Sequence, residues 1–388
     1  MIKVAFILVL EIAGLAIALP SQQPREIKQI VLSEEVPKKL SAPIEYWNGL
    51  LNLINITIGT PPQQFNVSLD LSSNFFFVPS INCEDSSYTC ENFWADRHLY
   101  NSSGSSTYSP NGTWAEGNYW DARFIGILDY DTVRIAGVEM EHQIFEEFRR
   151  VTTRMFSLDI GYDGVLGLAP PSSKPYGPEY PNYLSRLESS EALENNIMAL
   201  KMPAGIGKQG EIMFGDTNSD LYTGEIKTVK MIPDADLEPK DQGFWTLPIS
   251  NIWLNTSIML HAPLKNYKAT IVSEPIIVLP SGFASLIDWI IGAKPLINTI
   301  GYVPCETRHL LPDLIFQLGD HNITITGMDY VFEFQMPEPP YSLVCVVWFE
   351  PDDWSEKGTV YLGSTFLKGV YSVFDWEEGT VGFAELKR

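Results

Sequence analysis

Cysteine, histidine and positive charge are all scarce in this chain. Its 388 residues include four cysteines, five histidines, and 26 Lys and Arg against 48 Asp and Glu, a formal net charge of -22. That excess repels phosphate backbones, and no basic stripe interleaved with aromatics offsets it, so nucleic acid is not an expected partner. His98, His142, His261, His309 and His321 are scattered and the cysteines lack paired C-x-x-C spacing, which argues against a metal centre. A G-x-S-x-G elbow, an H-E-x-x-H helix and a glycine-rich phosphate loop are also missing, so those enzyme classes are set aside and no cofactor is expected. The apolar stretch from Ile271 to Ile291 is interrupted by Glu274, Pro275, Pro280 and Asp288, so it is a poor membrane span and no membrane anchor is expected.

What is present is the composition of a folded protein, 45% hydrophobic, 12% aromatic and only 19% charged. The N-terminus combines Lys3, an apolar run and an Ala16-x-Ala18 pattern, which reads as a signal peptide over residues 1–18. A polar segment follows over residues 19–44, a tail or pro-segment. In an exported chain four cysteines suggest two disulfides, with three possible pairings; the closeness of Cys83 and Cys90 favours a short clip, leaving Cys305 with Cys345. Asn-x-Ser/Thr sequons begin at Asn55, Asn66, Asn101, Asn111, Asn255 and Asn322, so glycosylation is expected.

From Tyr46 onward the chain consists of short β-branched and aromatic runs such as INITIG, FNVSLDL and TVGFAEL, separated by Gly, Pro, Asn and Ser, the pattern of an all-β protein. Helical patterning is sparse. SGFASLIDWIIGA from Ser281 places Phe283, Leu286, Ile287 and Ile290 on one face behind a possible Ser cap, and a second amphipathic piece runs from Tyr183 to Leu193. Two similar arrangements occur in succession: VSLDLSSNFFFVPS with DGVLGLAP, then ATIVSEPIIVLP with TVYLGSTFLKGVYSVFD. A duplicated β lobe is the working expectation.

The ordered segments IGTPPQQFNV (Ile58 to Val67), DLSSNFFFVPS (Asp70 to Ser80), SSTYSP (Ser105 to Pro110), DGVLGLAP (Asp163 to Pro170), LPDLIFQLG (Leu311 to Gly319) and YLGSTFLKGVYSVFDWEEGTVGFA (Tyr361 to Ala384) resemble the pepsin-like family of aspartic peptidases. The resemblance implies an all-β bilobal fold with two pseudo-symmetric lobes and a few short helices. It divides the chain into an N-terminal lobe with a flap over residues 45–220 and a C-terminal lobe over 221–388. It also supports the Cys83–Cys90 and Cys305–Cys345 pairings, and makes residues 19–44 look like a short pro-segment.

Such enzymes need one aspartate from each lobe, because two carboxyls at contact distance share a proton, one activating water and the other serving as acid. Asp70 matches the first, followed by Leu71 and Ser72 where Thr or Ser and then Gly are usual; Ser73 matches a supporting hydroxyl. Aligned the same way, the second turn sets Ser273 on the aspartate position, Glu274 on the Thr position and Pro275 on the Gly position. A serine hydroxyl cannot share a proton in that way, and alternation along a strand should turn Glu274 away from Asp70. Tyr119 matches the flap tyrosine, above a tip remodelled to Trp120-Asp121-Ala122-Arg123, and Phe77 stands where the family often has Trp. Tyr119, Ser73 and Phe77 are therefore the candidate substrate contacts, each with a plainer reading as packing or turn support. Asp131, Asp163 and Asp375 read as turn aspartates.

The expectation is a secreted homologue that has lost catalysis and keeps an interlobe cleft for a peptide or protein ligand, acting as a monomer. The alternatives are an acid endopeptidase with an atypical single-Asp centre and a secreted structural or storage glycoprotein. A lysosome-like compartment is the alternative destination.

Overall fold

The computed structural model describes residues 40–83, 97–119, 122–152, 161–171, 182–256, 260–297, 299–335, 343–352 and 358–387. The signal-peptide reading, nearly all of the pro-segment reading, Cys90 and the flap-tip residues Trp120 and Asp121 lie outside them. Strands dominate, arranged in two sheets, and helices are short. This is the bilobal all-β architecture expected.

One sheet of 13 strands contains Leu51–Ile58, Gln63–Asp70, Gly164–Gly167 and Phe76–Pro79 in adjacent positions, and continues through Val138–Thr152 and Ala122–Ile135 to Ser109–Tyr119. At its other end lie Val370–Asp375 and Thr380–Leu386, which the chain supplies last, next to Ile197–Lys201. The C-terminal strands thus return to the sheet built mainly from the first half. The second sheet, of 11 strands, centres on Ile277–Leu279, Thr359–Leu362, Lys268–Ile271 and Thr246–Asn255. Val344–Pro351 in this sheet is apolar at nearly every position, VCVVWFEP, because it is covered on both faces. Trp245, Trp348, Tyr100 and Phe65 are among the largest fully buried side chains.

The same local device occurs once in each sheet. Gln63–Asp70 pairs in parallel with Gly164–Gly167, and after a turn Phe76–Pro79 pairs with the other edge of that strand. Likewise Lys268–Ile271 pairs in parallel with Thr359–Leu362, whose other edge takes Ile277–Leu279. The two turns between these strands are the ones the sequence marks as bearing carboxyls. A glycine lies under each: a Cβ on Gly167 would meet the Ser73 carbonyl at 2.5 Å, and one on Gly363 the Glu274 carbonyl at 2.0 Å.

The helix expected from Ser281 runs Ser281–Ile291, but Ser281 is its first residue rather than its cap. Its Oγ and N–H instead donate to Asp352, at 2.7 and 3.1 Å. The inward face is Phe283, Ala284, Ile287 and Ile291, leaving Leu286 exposed. The earlier amphipathic piece forms Tyr183–Ser190, N-capped by Asn182, whose side chain accepts from Ser185 N–H at 2.8 Å. Cys305 and Cys345 are bonded.

Candidate active site

Asp70 ends its strand at the point where the parallel ladder meets Gly167, and it is 4% exposed. Its own turn supplies three donors. Ser72 N–H and Ser72 Oγ donate to Oδ1 at 2.8 and 2.6 Å, and Ser73 Oγ donates to Oδ2 at 2.7 Å. Ser72 thus replaces the usual glycine without loss of the backbone donor and adds a hydroxyl. Tyr119 shares a cavity with Asp70, and burial first, then the Asp70 charge, drives the pKa of its hydroxyl far up. Its ring is packed edge-on against Phe75 and Phe77, with centroids 5.8 and 5.7 Å away. Phe77 is fully buried, stacked on Phe124 at 4.6 Å and edge-on to Phe148. In this conformation Phe77 supports the flap rather than lining an open surface.

The second-lobe turn differs in register from the sequence alignment. Ile271 pairs with Leu362, so Val272 comes next, facing Gly363 as Asp70 faces Gly167. By strand register the counterpart of Asp70 is therefore Val272, and Ser273 is the counterpart of Leu71. The turn is also one residue shorter. Gly167 N–H donates to Phe75, five residues beyond Asp70, whereas Gly363 N–H donates to Ile276, four beyond Val272.

Shortening redistributes the turn's bonds. In the first lobe Leu168 N–H, just after the glycine, donates to the Asp70 carbonyl at 2.6 Å. In the second, Ser364 N–H donates to the Glu274 carbonyl at 2.8 Å. Glu274 thereby takes the bonding place that Asp70 holds in its own lobe. Strict alternation along a strand does not apply inside this compressed turn, and the expectation that Glu274 points away from Asp70 is overturned. Asp70, Glu274, Ser273 and Tyr119 line one cavity of about 10 Å³, with Leu50, Leu51, Asn52, Ser68 and Leu69. That is roughly the space of one water.

Burial first, and then the charge of Asp70, raise the Glu274 pKa to about 7. One carboxylate oxygen, Oε2, is buried and accepts no hydrogen bond among the described residues. A pair of carboxyls, one from each lobe, thus meets here, where Ser273 had suggested there would be none. Ser273 has another part: its Oγ accepts from Leu71 N–H at 2.7 Å, across 202 residues of sequence. This bond ties the two turns together.

Of the aspartates read as turn supports, Asp131 instead lies within the strand Ala122–Ile135, while Asp163 precedes a strand and Asp375 ends one; all three accept hydrogen bonds. Asp131 accepts from Tyr100, Thr107 and Thr132, Asp163 from Asn66 and His98, and Asp375 from Glu378 N–H. Of the sequons, Asn55, Asn111, Asn255 and Asn322 are exposed, while Asn66 and Asn101 are half-buried. The Asn55 and Asn66 side chains bond each other at 3.1 Å.

Two β lobes that each bring a strand, a turn and an underlying glycine to one shared cavity, with a carboxyl from either side, define the architecture of an aspartic peptidase. A sequence profile described as eukaryotic aspartyl protease matches residues 52–386, and the chain belongs to that family. Its relatives include a probable vacuolar protease A of Arthroderma benhamiae, 29% identical over 94% of this chain and 87% of the relative. Vacuolar protease A of Aspergillus fumigatus is 31% identical over 86% of this chain and 78% of its own length. Cathepsin D of Canis lupus familiaris is 30% identical over 86% and 80%.

Proposed function

We propose that this chain is an aspartic-type endopeptidase that works at acidic pH, with Asp70 as base and Glu274 as the second carboxyl. The observation that carries the reading is the convergence of these two groups on a water-sized cavity, with Glu274 holding its proton up to about pH 7. In the reaction Asp70 takes a proton from the attacking water while Glu274 gives its proton to the peptide carbonyl oxygen. The resulting gem-diol then collapses as Asp70 passes its proton to the leaving amine and one diol hydroxyl returns a proton to Glu274, which breaks the C–N bond, leaves a carboxylic acid and restores both carboxyls. Tyr119 lines the same cavity as Asp70 and must first swing clear of it, so peptide entry between the lobes and flap movement are one event. Names such as vacuolar protease A and the N-terminal export pattern together support a secretory-route destination, either outside the cell or in a vacuole-like acidic compartment.

The test is cleavage of a diverse peptide mixture between pH 3 and 8 by the purified mature protein. Cleavage at acidic pH is expected, with Asp70→Asn and Glu274→Gln each lowering kcat by about 10²- to 10⁴-fold. Full activity in Glu274→Gln would overturn the role of that residue.

A second reading, peptide binding without hydrolysis, is favoured by Val272 at the strand position of the missing aspartate and by Tyr119 filling the site. It predicts saturable peptide binding, no cleavage at any pH, and binding unchanged in Glu274→Gln.

A further inference from the structure

Two connections leave the same end of the 13-stranded sheet. Ser41–Trp47 lies between Leu51–Ile58 and Gln209–Phe214, with Glu45 facing Leu53 on one side and Gln209 on the other. The turn over residues 47–51 and the loop over residues 202–208, which joins Ile197–Lys201 to Gln209–Phe214, therefore emerge side by side. Both meet one residue of the 11-stranded sheet, Glu333, in the strand Val331–Phe334 that pairs with Val344–Pro351.

Glu333 meets the turn with its backbone and the loop with its side chain. In the turn, Leu50 N–H donates to the Trp47 carbonyl, and Gly49 has a φ of 81°. A Cβ on Gly49 would meet the Glu333 carbonyl at 2.1 Å, so the two backbones approach as only a glycine permits. The Tyr46 hydroxyl donates to the Gly49 carbonyl at 2.7 Å, and burial first, then the Glu333 charge, raises its pKa. In the loop, Ile206 N–H donates to Glu333 Oε2 at 3.3 Å. The other carboxylate oxygen, Oε1, accepts from Arg308 Nη2 at 2.9 Å.

The disulfide holds this ion pair in place. Glu333 lies opposite Cys345 in the strand register, and Arg308 Nε donates at 3.2 Å to the carbonyl of Cys305, the other half of the bond. The buried Lys368 feels the charges of Asp329, Arg308 and Glu333 and donates to the Val331 carbonyl at 3.4 Å. Cations thus orient the Glu333 carboxylate from its own sheet, which leaves Oε2 to the loop of the other.

The turn runs directly into the candidate active site, since Leu50 and Leu51 line the cavity shared by Asp70 and Glu274. We propose that Glu333 is a positioning residue for peptide binding, which seats residues 47–51 and 202–208 on the second sheet and so fixes the Leu50 and Leu51 wall of the cavity. Its effect on peptides rests on the peptidase reading. A wall that serves substrate and transition state alike acts on KM and leaves kcat unchanged.

The test is hydrogen exchange read by mass spectrometry on the full-length protein, with peptide kinetics on the same samples. In Glu333→Ala, exchange should speed at least tenfold in residues 46–53 and 203–208 and stay unchanged in Thr246–Asn255. KM for a cleaved peptide should rise at least fivefold, with kcat within twofold of the wild type. Glu333→Gln keeps an acceptor for Ile206 N–H and should bring KM back to within about threefold of the wild type. Asp375→Ala removes the acceptor of Glu378 N–H in a turn outside the site, so it should lower Tm and leave KM unchanged. Unchanged exchange in residues 46–53 overturns the proposal, as does faster exchange with unchanged KM. Glu333→Asp, one methylene shorter, carries the same expectations should Glu333→Ala fail to fold. A wild type that cleaves nothing counts against the peptidase reading alone, because exchange needs no substrate and calorimetric peptide affinity then replaces KM.

Discussion

At the scale of single residues, the site depends on which atoms the two turns present. Ser273 works as a clasp: its hydroxyl accepts the N–H of the fully buried Leu71. Ser273→Ala leaves that donor unpaired, which costs about 1–3 kcal/mol. A lowered denaturation midpoint at unchanged m-value is the expected result in urea unfolding. Tyr119→Phe is a gentler probe. It keeps the ring packing on Phe75 and Phe77 and removes the hydroxyl from Asp70, so tighter peptide binding is expected by calorimetry. Asp70 was legible as a site residue because Ser73 and the run Phe75 to Ser80 keep the resemblance on either side of the altered Leu71 and Ser72. Glu274 was misread, since its side-chain direction depends on a turn length that the letters Val272-Ser273-Glu274-Pro275 do not display.

At the scale of elements, the sequence exposed strands more clearly than the connections between them. Runs such as Leu51–Ile58 and Val344–Pro351 bury their apolar residues as their patterns imply. The helix at Ser281 was legible in its extent but not in its cap or inward face, because Asp352, 71 residues away, claims the serine. Tertiary partners of this kind leave no local mark. The one-residue shortening of the second turn is the same kind of feature, readable only once Ile271 is paired with Leu362 and Ile277 with the other edge of that strand. Gly363 permits this turn. Gly363→Ala would drive a Cβ into the carbonyls of Glu274 and Ile276, at 2.0 and 2.4 Å, so the turn must move. Loss of peptide cleavage together with a lower Tm is expected, whereas Gly379→Ala, where nothing lies within 4 Å of the added Cβ, should leave cleavage intact.

For the whole molecule, buried acids make the fold an acid-stable one. Burial raises the pKa of Glu146, Glu274 and Asp288 to about 7 in each case, with the Asp70 charge assisting at Glu274. Between the unfolded values near 4 and the folded values near 7, the folded chain holds protons that the unfolded chain has released. Stability is therefore fully present below about pH 4, declines as pH rises, and levels off above about 7. Melting followed by calorimetry should give a higher Tm at pH 5 than at pH 7.5. Glu146→Gln, which removes a fully buried acid whose two oxygens accept no hydrogen bond among the described residues, should narrow that difference. The formal charge of -22 thus counts interior carboxyls that hold protons, and so are neutral, below about pH 7.

The central claim is that Glu274 supplies the second lobe's carboxyl. Its most direct test is the pH dependence of kcat/KM for one cleaved peptide, measured for the wild type and for Glu274→Gln. The account predicts wild-type activity that falls as pH rises through about 7, the point at which Glu274 loses its proton, and a loss of at least 100-fold with no such limb in the variant. A variant that retains wild-type activity and the same limb would contradict it.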